Sequence, residues 1–307
     1  VRNSFLSRVL IVALLAGLSP ACSSKTVSQA QRQPDIDQSK LTKRLEEISK
    51  RASGVVGVMA IHVESGKSAA LDSTKKLVLQ SVFKMALAVT VLKAVEEKRI
   101  SLDQKLLVTP DDVAPGSKYN TDLWRKPAER SVQELLELSI SRSDNTSSDK
   151  LLKLIGGPNA VTAQMRSLGF QNIDVNSTTR ELSTGNAKPN LGSAEDFANL
   201  LLRIQKGEIL QREASSLLIG FMERATTGLK RIRGDLPAGT IVADKTGSGE
   251  ANVATNDIGI ITLPNGRGHV AIAVLINGSG VSIEAQEKVI AELARAAYDE
   301  FLAQGNV

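Results

Sequence analysis

Gln80-Ser81-Val82-Phe83-Lys84-Met85-Ala86-Leu87-Ala88 opens an apolar run that ends near Val95. Ser81 and Lys84 are three positions apart, so a helix places them on one face. Val82, Phe83, Met85, Leu87, Val89, Val91, Leu92 and Val95 make this helix apolar nearly all the way round. A helix of that kind is buried. Burial strips water from the Lys84 ammonium and lowers its pKa toward that of a working base. The stretch therefore predicts a buried helix presenting a serine nucleophile beside a lysine. S-x-x-K alone is common by chance, and it equally describes a serine and a lysine on an ordinary surface helix.

Two later tripeptides change that balance. Ser143-Asp144-Asn145 follows an amphipathic segment, and Lys245-Thr246-Gly247 follows the strand-like Ile241-Val242-Ala243. In this order, S-x-x-K, S-D-N and K-T-G resemble the motif set of class A serine β-lactamases and penicillin-binding proteins. The resemblance runs from about Leu41 to Leu302. It includes Ile155-Gly156-Gly157-Pro158, Thr227-Gly228, Leu236-Pro237-Ala238-Gly239 and Thr255-Asn256-Asp257.

Bulk properties exclude several other classes. The net charge of +5 is spread without a block of one sign, and aromatic residues are only 3%, so a nucleic-acid surface is not expected. Cys22 is the single cysteine, which rules out an internal disulfide. The two histidines, His62 and His269, lie apart in strand-like runs and read as strand residues. They supply neither a metal-ligand cluster nor a histidine-based triad. No cofactor is expected.

The chain opens with the marks of export. Arg2 and Arg8 precede an apolar core over residues 9–18, and Ser19-Pro20-Ala21-Cys22 follows. This predicts a signal peptide over residues 1–22, with a core too short to span a membrane. The cysteine resembles a lipoprotein processing site, at which Cys22 would carry a lipid anchor. Plain secretion is the alternative. The polar residues 23–40 read as a flexible tether.

Residues 41–307 read as one catalytic domain. Helical spacing appears at 41–51, and a β-hairpin follows over 54–71. Helices are expected at 132–140, 145–155, 159–168, 194–205 and 213–224, with Gly156-Gly157-Pro158 as a stop signal. Strands return at 241–244, 257–263 and 269–276, before a long helix at 283–302. The predicted fold class is α+β, an α-β sandwich. An antiparallel sheet built from both ends of the chain is flanked by N- and C-terminal helices. An all-helical lobe over residues 78–215 completes it, and 41–77 with 216–307 form the α/β lobe. The groove between the lobes is the expected site.

The resemblance assigns roles residue by residue. Ser81 is the nucleophile, Lys84 a base for acylation, and Ser143 a proton relay to the β-lactam nitrogen. An early helix amide has no partner, so the Ser81 N–H is free to hold the oxyanion together with that of Ser248. Asn145 would bind the substrate amide; Lys245, Thr246 and Ser248 would bind its carboxylate. Arg231 stands where some members place a further carboxylate-binding arginine, and Ala254 where others carry theirs. Its other reading is an exposed arginine beside Lys230 and Arg233. Tyr119 would wall the groove, and Asp144 would bond the turn that presents Ser143.

One segment departs from the family. Ungapped register from Asn145 through Pro158 and Gly169 puts the place of the deacylation glutamate at Thr179. The asparagine and arginine that support it fall on Ser183 and Ser177. Glu181, two residues on, is the available substitute. A threonine hydroxyl is no base at neutral pH, so the resemblance implies acylation with slow deacylation. Three functions stand open. The leading one is an exported serine hydrolase that opens β-lactam rings through acyl-Ser81, with antibiotic resistance as its consequence. The second is a D,D-peptidase-like protein that takes a peptidoglycan stem peptide and holds its adduct. The third is a non-catalytic envelope binding module. A monomer is expected, periplasmic or anchored through Cys22, with no other membrane contact.

Overall fold

The computed structural model describes residues 36–115, 121–250 and 252–304. The expected signal peptide, Cys22 and Tyr119 lie outside the described residues. Helix α1 (Ile36–Ser49) already begins within the segment expected as a tether, which is therefore helical from Ile36 onward. Leu41, Leu45 and Ile48 are buried along one stripe of it, and that stripe ties the helix to the domain.

Strand β1 (Val55–His62) turns back into β2 (Ser68–Leu71), with Val58 opposite Leu71. Next come β3 (Leu77–Val78), a 3-10 turn (Gln80–Val82) and α2 (Phe83–Glu96). Every residue of α2 from Phe83 to Leu92 is buried, as its apolar circumference predicts. The middle of the chain holds β4 (Lys105–Val108), β5 (Ala128–Ser131), α3 (Val132–Ser141), α4 (Asn145–Ile155), α5 (Pro158–Ser167), α6 (Thr179–Leu182) and β6 (Leu191–Gly192). It continues through α7 (Ala194–Gln205) and α8 (Arg212–Glu223). The last third is β7 (Val242–Ser248), β8 (Ala254–Thr262), β9 (His269–Asn277) and α9 (Ile283–Gln304).

The main sheet has the order β2-β1-β9-β8-β7, with every pair antiparallel. β1 from one end of the domain lies beside β9 from the other, Val55 opposite Asn277 through His62 opposite Val270. Both faces of the central strands are covered, so β1 and β9 are nearly continuous apolar runs instead of alternating ones, while β8 also buries Thr255, Asn256 and Asp257. Along β9, Val270, Ile272, Val274 and Ile276 enter one core with α1 and α9 residues such as Leu45, Ile290 and Phe301. Ala271, Ala273 and Leu275 enter the other, with Phe197 and Leu201 of α7 and the body of α2. Burying each large aliphatic side chain contributes about 1.5–3 kcal/mol, so these two cores carry the fold. His62 and His269 are strand-end residues: His62 Nε2 donates to Arg267 O at 2.8 Å, and His269 Nδ1 meets Glu64 Oε1 at 2.7 Å.

Two boundaries differ from the sequence reading. The middle segment, expected as all helix, also contains two short antiparallel pairs, β3–β6 and β4–β5. β7 does not stop before K-T-G; it runs through it to Ser248. Asp244, Lys245 and Gly247 are poor strand formers, and pairing with β8 overrides that preference.

Candidate active site

The turn carrying Ser81 is held from behind by asparagines. Asn256, fully buried on β8, donates through Nδ2 to Val78 O at 2.8 Å and Leu79 O at 3.0 Å. Its Oδ1 accepts from Ile276 N at 3.1 Å. Asn277 Oδ1 accepts from Val78 N at 2.6 Å, and Leu79 N donates to Asn190 O at 3.0 Å. Gln80 has φ of 47°, a left-handed conformation that costs energy in a non-glycine residue. The chain thereby turns sharply into α2 and leaves Ser81 half-buried. The outer edge of β7 lies against this turn. A Cβ on Gly247 would overlap the Leu79 carbonyl oxygen and stand 3.2 Å from Val82 N, so the close approach requires glycine.

Lys84, Ser143, Asn145 and Lys245 converge beside the turn. Lys84 is completely buried. Its Nζ donates to Ser143 O at 2.6 Å and Asn145 Oδ1 at 2.7 Å, and lies 3.3 Å from Ser143 Oγ. Lys245, also completely buried, donates to Ser143 Oγ at 2.9 Å and Thr246 O at 2.8 Å. Burial lowers the Lys84 pKa to about 7, opposed by the charges of Asp144 and Asp149. Burial also pushes Lys245 well below the usual lysine range, and the neighbouring Lys84 charge adds to it. Ser143 has φ of 55°, in a turn fixed by Asp144. Asp144 Oδ1 accepts from Ser147 N and Oγ, both at 2.6 Å, which caps α4. Its Oδ2 accepts from Trp124 Nε1 at 3.3 Å.

Arg231 is not a surface residue, being 4% exposed. Its Nη2 donates to Ser248 Oγ at 2.8 Å, Nη1 to Asn256 O at 2.9 Å, and Nε to Glu287 Oε1 at 3.1 Å. The guanidinium thus reaches the groove end of β7, where Ser248 is exposed. Thr246 Oγ1 lies 2.8 Å from Thr227 Oγ1. Ala254 is buried on β8, and its methyl leaves that place without a cation.

The loop carrying Thr179 has no acid aimed at this cluster. Thr179 is 8% exposed, and its Oγ1 donates to Asn145 O at 3.4 Å. Glu181 is exposed and folds back onto its own helix start, accepting from Thr178 N at 2.8 Å and Thr178 Oγ1 at 3.0 Å. This is a capping box, and it occupies the carboxylate proposed as a substitute base. Ser177 Oγ donates to Lys188 O at 2.8 Å, and exposed Ser183 bonds back to Arg180 O.

Two loop-anchoring residues escaped the sequence reading. Asp149 accepts Thr179 N at 2.8 Å on Oδ1 and Arg180 N at 2.9 Å on Oδ2. Buried Asn190 accepts from Asn176 N at 2.7 Å and Ser177 N at 3.0 Å. The signal for Asp149 was its place one helical turn after Asn145, on the same face of α4. Asn190 carried no signal beyond its position in a loop.

Residues 40–301 match the model of the β-lactamase enzyme family. The chain belongs to the class A β-lactamase family. It is 34% identical over 270 residues to the extended-spectrum β-lactamase PER-1 of Pseudomonas aeruginosa, covering 84% of this chain and 86% of that relative. Among solved structures, a β-lactamase from Chitinophaga pinensis superposes with a TM-score of 0.81 at 32% identity, over 85% of this chain and 98% of that one. The TLA-3 extended-spectrum β-lactamase gives 0.82 at 34% identity, over 86% of this chain and 99% of that one. Within this class A family member, no helix among the described residues is long and apolar enough to cross a membrane.

Proposed function

We propose that this class A β-lactamase family member opens β-lactam rings through an acyl-Ser81 intermediate, with the roles set out below. Lys84 takes the Ser81 proton as Oγ attacks the lactam carbonyl. The Ser81 and Ser248 amides hold the oxyanion, where fixed donors act on charge as it develops. Ser143 passes a proton to the lactam nitrogen as the ring opens. Asn145 binds the substrate amide; Lys245, Thr246, Ser248 and Arg231 bind its carboxylate. The supporting observation is Ser143 Oγ lying 2.9 Å from one buried lysine Nζ and 3.3 Å from the other, a path for a proton between them.

The test is intact-mass measurement after mixing with a penicillin. The expected result is an adduct of one penicillin mass that peptide mapping places on Ser81. Neither adduct nor hydrolysis with any β-lactam would instead support an envelope binding module.

Arg231 and Lys245 give a graded expectation. A hydrogen bond to a charged group contributes about 1.5–3 kcal/mol. Removing either side chain as Arg231→Ala or Lys245→Ala is expected to slow acylation by about one to two orders of magnitude. An Arg231→Ala rate equal to wild type would leave that arginine as a brace between Glu287 and β7.

We also infer export with a lipid on Cys22, from the basic start, short apolar core and cysteine of residues 1–22. The mature protein is expected to partition into detergent, and Cys22→Ser to release it. Wild-type protein found wholly in the aqueous phase would establish plain secretion.

A further inference from the structure

A hydrolase that forms an ester on Ser81 needs a second base to free it, and the place of the family's glutamate holds Thr179. Each nearby acid is committed elsewhere. Glu181 is exposed and caps α6. Asp144 caps α4 and receives the Trp124 indole. Asp149 has both carboxylate oxygens on the first amides of α6. Lys84 is different. Two of its contacts, at 2.6 and 2.7 Å, are to oxygens that only accept, Ser143 O and Asn145 Oδ1. A neutral amine satisfies both with its two protons and keeps a lone pair. The third neighbour, Ser143 Oγ at 3.3 Å, already accepts from Lys245, so its own proton is free to turn toward Lys84. The contact set therefore fits an amine as well as an ammonium.

We propose that Lys84 is the base of both half-reactions, activating Ser81 for acylation and then activating the water that releases the acyl group. This rests on the acyl-Ser81 reading. In the second step a water proton moves to Lys84 Nζ as the water oxygen bonds to the ester carbon. The tetrahedral intermediate then expels Ser81 Oγ, which recovers that proton from Nζ, and the product leaves as a carboxylic acid. Thr179 Oγ1, on the side of Asn145, offers the water a hydrogen bond but no base.

The groups facing Lys84 set when it is neutral. Asp144 and Asp149 from the start and second turn of α4 favour the ammonium, and Lys245 from β7 opposes it. Ser143 and Asn145 meet Nζ only with uncharged oxygens, while α3 and α5 bring apolar residues such as Leu135, Ile140, Val161 and Met165 to the surrounding core. With burial as the largest influence, Lys84 titrates at about 7. Since the neutral form is the active one, deacylation gains with rising pH.

The experiment acylates the protein with one equivalent of a penicillin, then follows loss of the adduct by intact mass from pH 5 to pH 9. The decay rate is expected to rise about tenfold per pH unit below neutrality and to level off above it, as for a single titrating base. A rate flat from pH 5 upward would point to a carboxylate base, and one climbing without a plateau to hydroxide; either overturns the proposal. Asp149→Asn is the second arm. Loss of its charge is expected to move the midpoint to lower pH while keeping the sigmoid; a flattened profile would make Asp149 the base. Failure to form any adduct on Ser81, with no hydrolysis of the penicillin either, is a separate result, which overturns the acyl-Ser81 reading itself.

Discussion

Ser81→Ala is expected to lose all covalent labelling by a fluorescent penicillin while unfolding at the wild-type temperature. The two halves of this result have separate causes. The fold of the turn does not use the Ser81 side chain: Asn256, Asn277 and Asn190 grip the backbone at Val78 and Leu79, and Gly247 packs against it. Removing one half-buried hydroxyl leaves all of those contacts in place, so the stability change should stay within about 0.5 kcal/mol. The chemistry, by contrast, has no substitute. Ser143 Oγ sits between two lysines, 2.9 Å from Lys245 Nζ and 3.3 Å from Lys84 Nζ, and belongs to the relay. Loss of a serine nucleophile in a comparable hydrolase costs on the order of 10⁶-fold in rate. Circular dichroism melting checks the first half, and gel fluorescence checks the second. Labelling that survives in Ser81→Ala would move the nucleophile elsewhere, with Ser143 the first residue to replace.

Much of this site was legible before any coordinates, because its chemistry is carried by short spacings. Ser81 and Lys84 are tied by one helical turn, and S-D-N and K-T-G are contiguous tripeptides. The sheet was legible too, since the second half of β8 and nearly all of β9 are apolar and α9 has a clear amphipathic period. What stayed hidden was the support. Asn256 and Asn190 fix the Ser81 turn through backbone carbonyls and amides far away in sequence, and a buried asparagine looks like any loop asparagine until its partners are known. The inward extension of β7 was hidden for a similar reason. Asp244 and Lys245 carry charge into the sheet interior against strand preference, and their places are set by Arg233, which pairs with Asp244, and by Ser143. Glu181 misled in the other direction: the T-x-x-E spacing of Thr178 and Glu181 is itself a capping box, a local signal that the carboxylate is already in use.

Thr179→Glu should speed release of the acyl group, by a factor that depends on pH. Thr179 is nearly buried, with Oγ1 directed at the Asn145 carbonyl, so a longer side chain there extends toward the cluster of Asn145 and Lys84. The backbone of the turn does not depend on the threonine hydroxyl, because Asp149 holds residues 179 and 180 through their amides. A carboxylate beside the ester water supplies a base with a pKa near 4 to 5, typically contributing about 10²–10⁴-fold over no base. In wild type Lys84 already serves at alkaline pH, so little is gained there. At pH 5 only about 1% of a base with a pKa near 7 is neutral, so the gain should approach about 10²-fold. Wild type is accordingly expected to show a burst of about one acyl group per protein and a slow steady state at low pH. Thr179→Glu should shrink the burst and flatten the pH dependence of acyl release, while acylation keeps its dependence on Lys84. Stopped-flow hydrolysis of a chromogenic cephalosporin at pH 5 and pH 8 measures both. Glu181→Gln should leave each rate unchanged, since its carboxylate serves only the cap of α6. An equal acceleration by Thr179→Glu at both pH values would mean that Lys84 contributes nothing to deacylation in wild type, and the slow phase would then belong to an unassisted water.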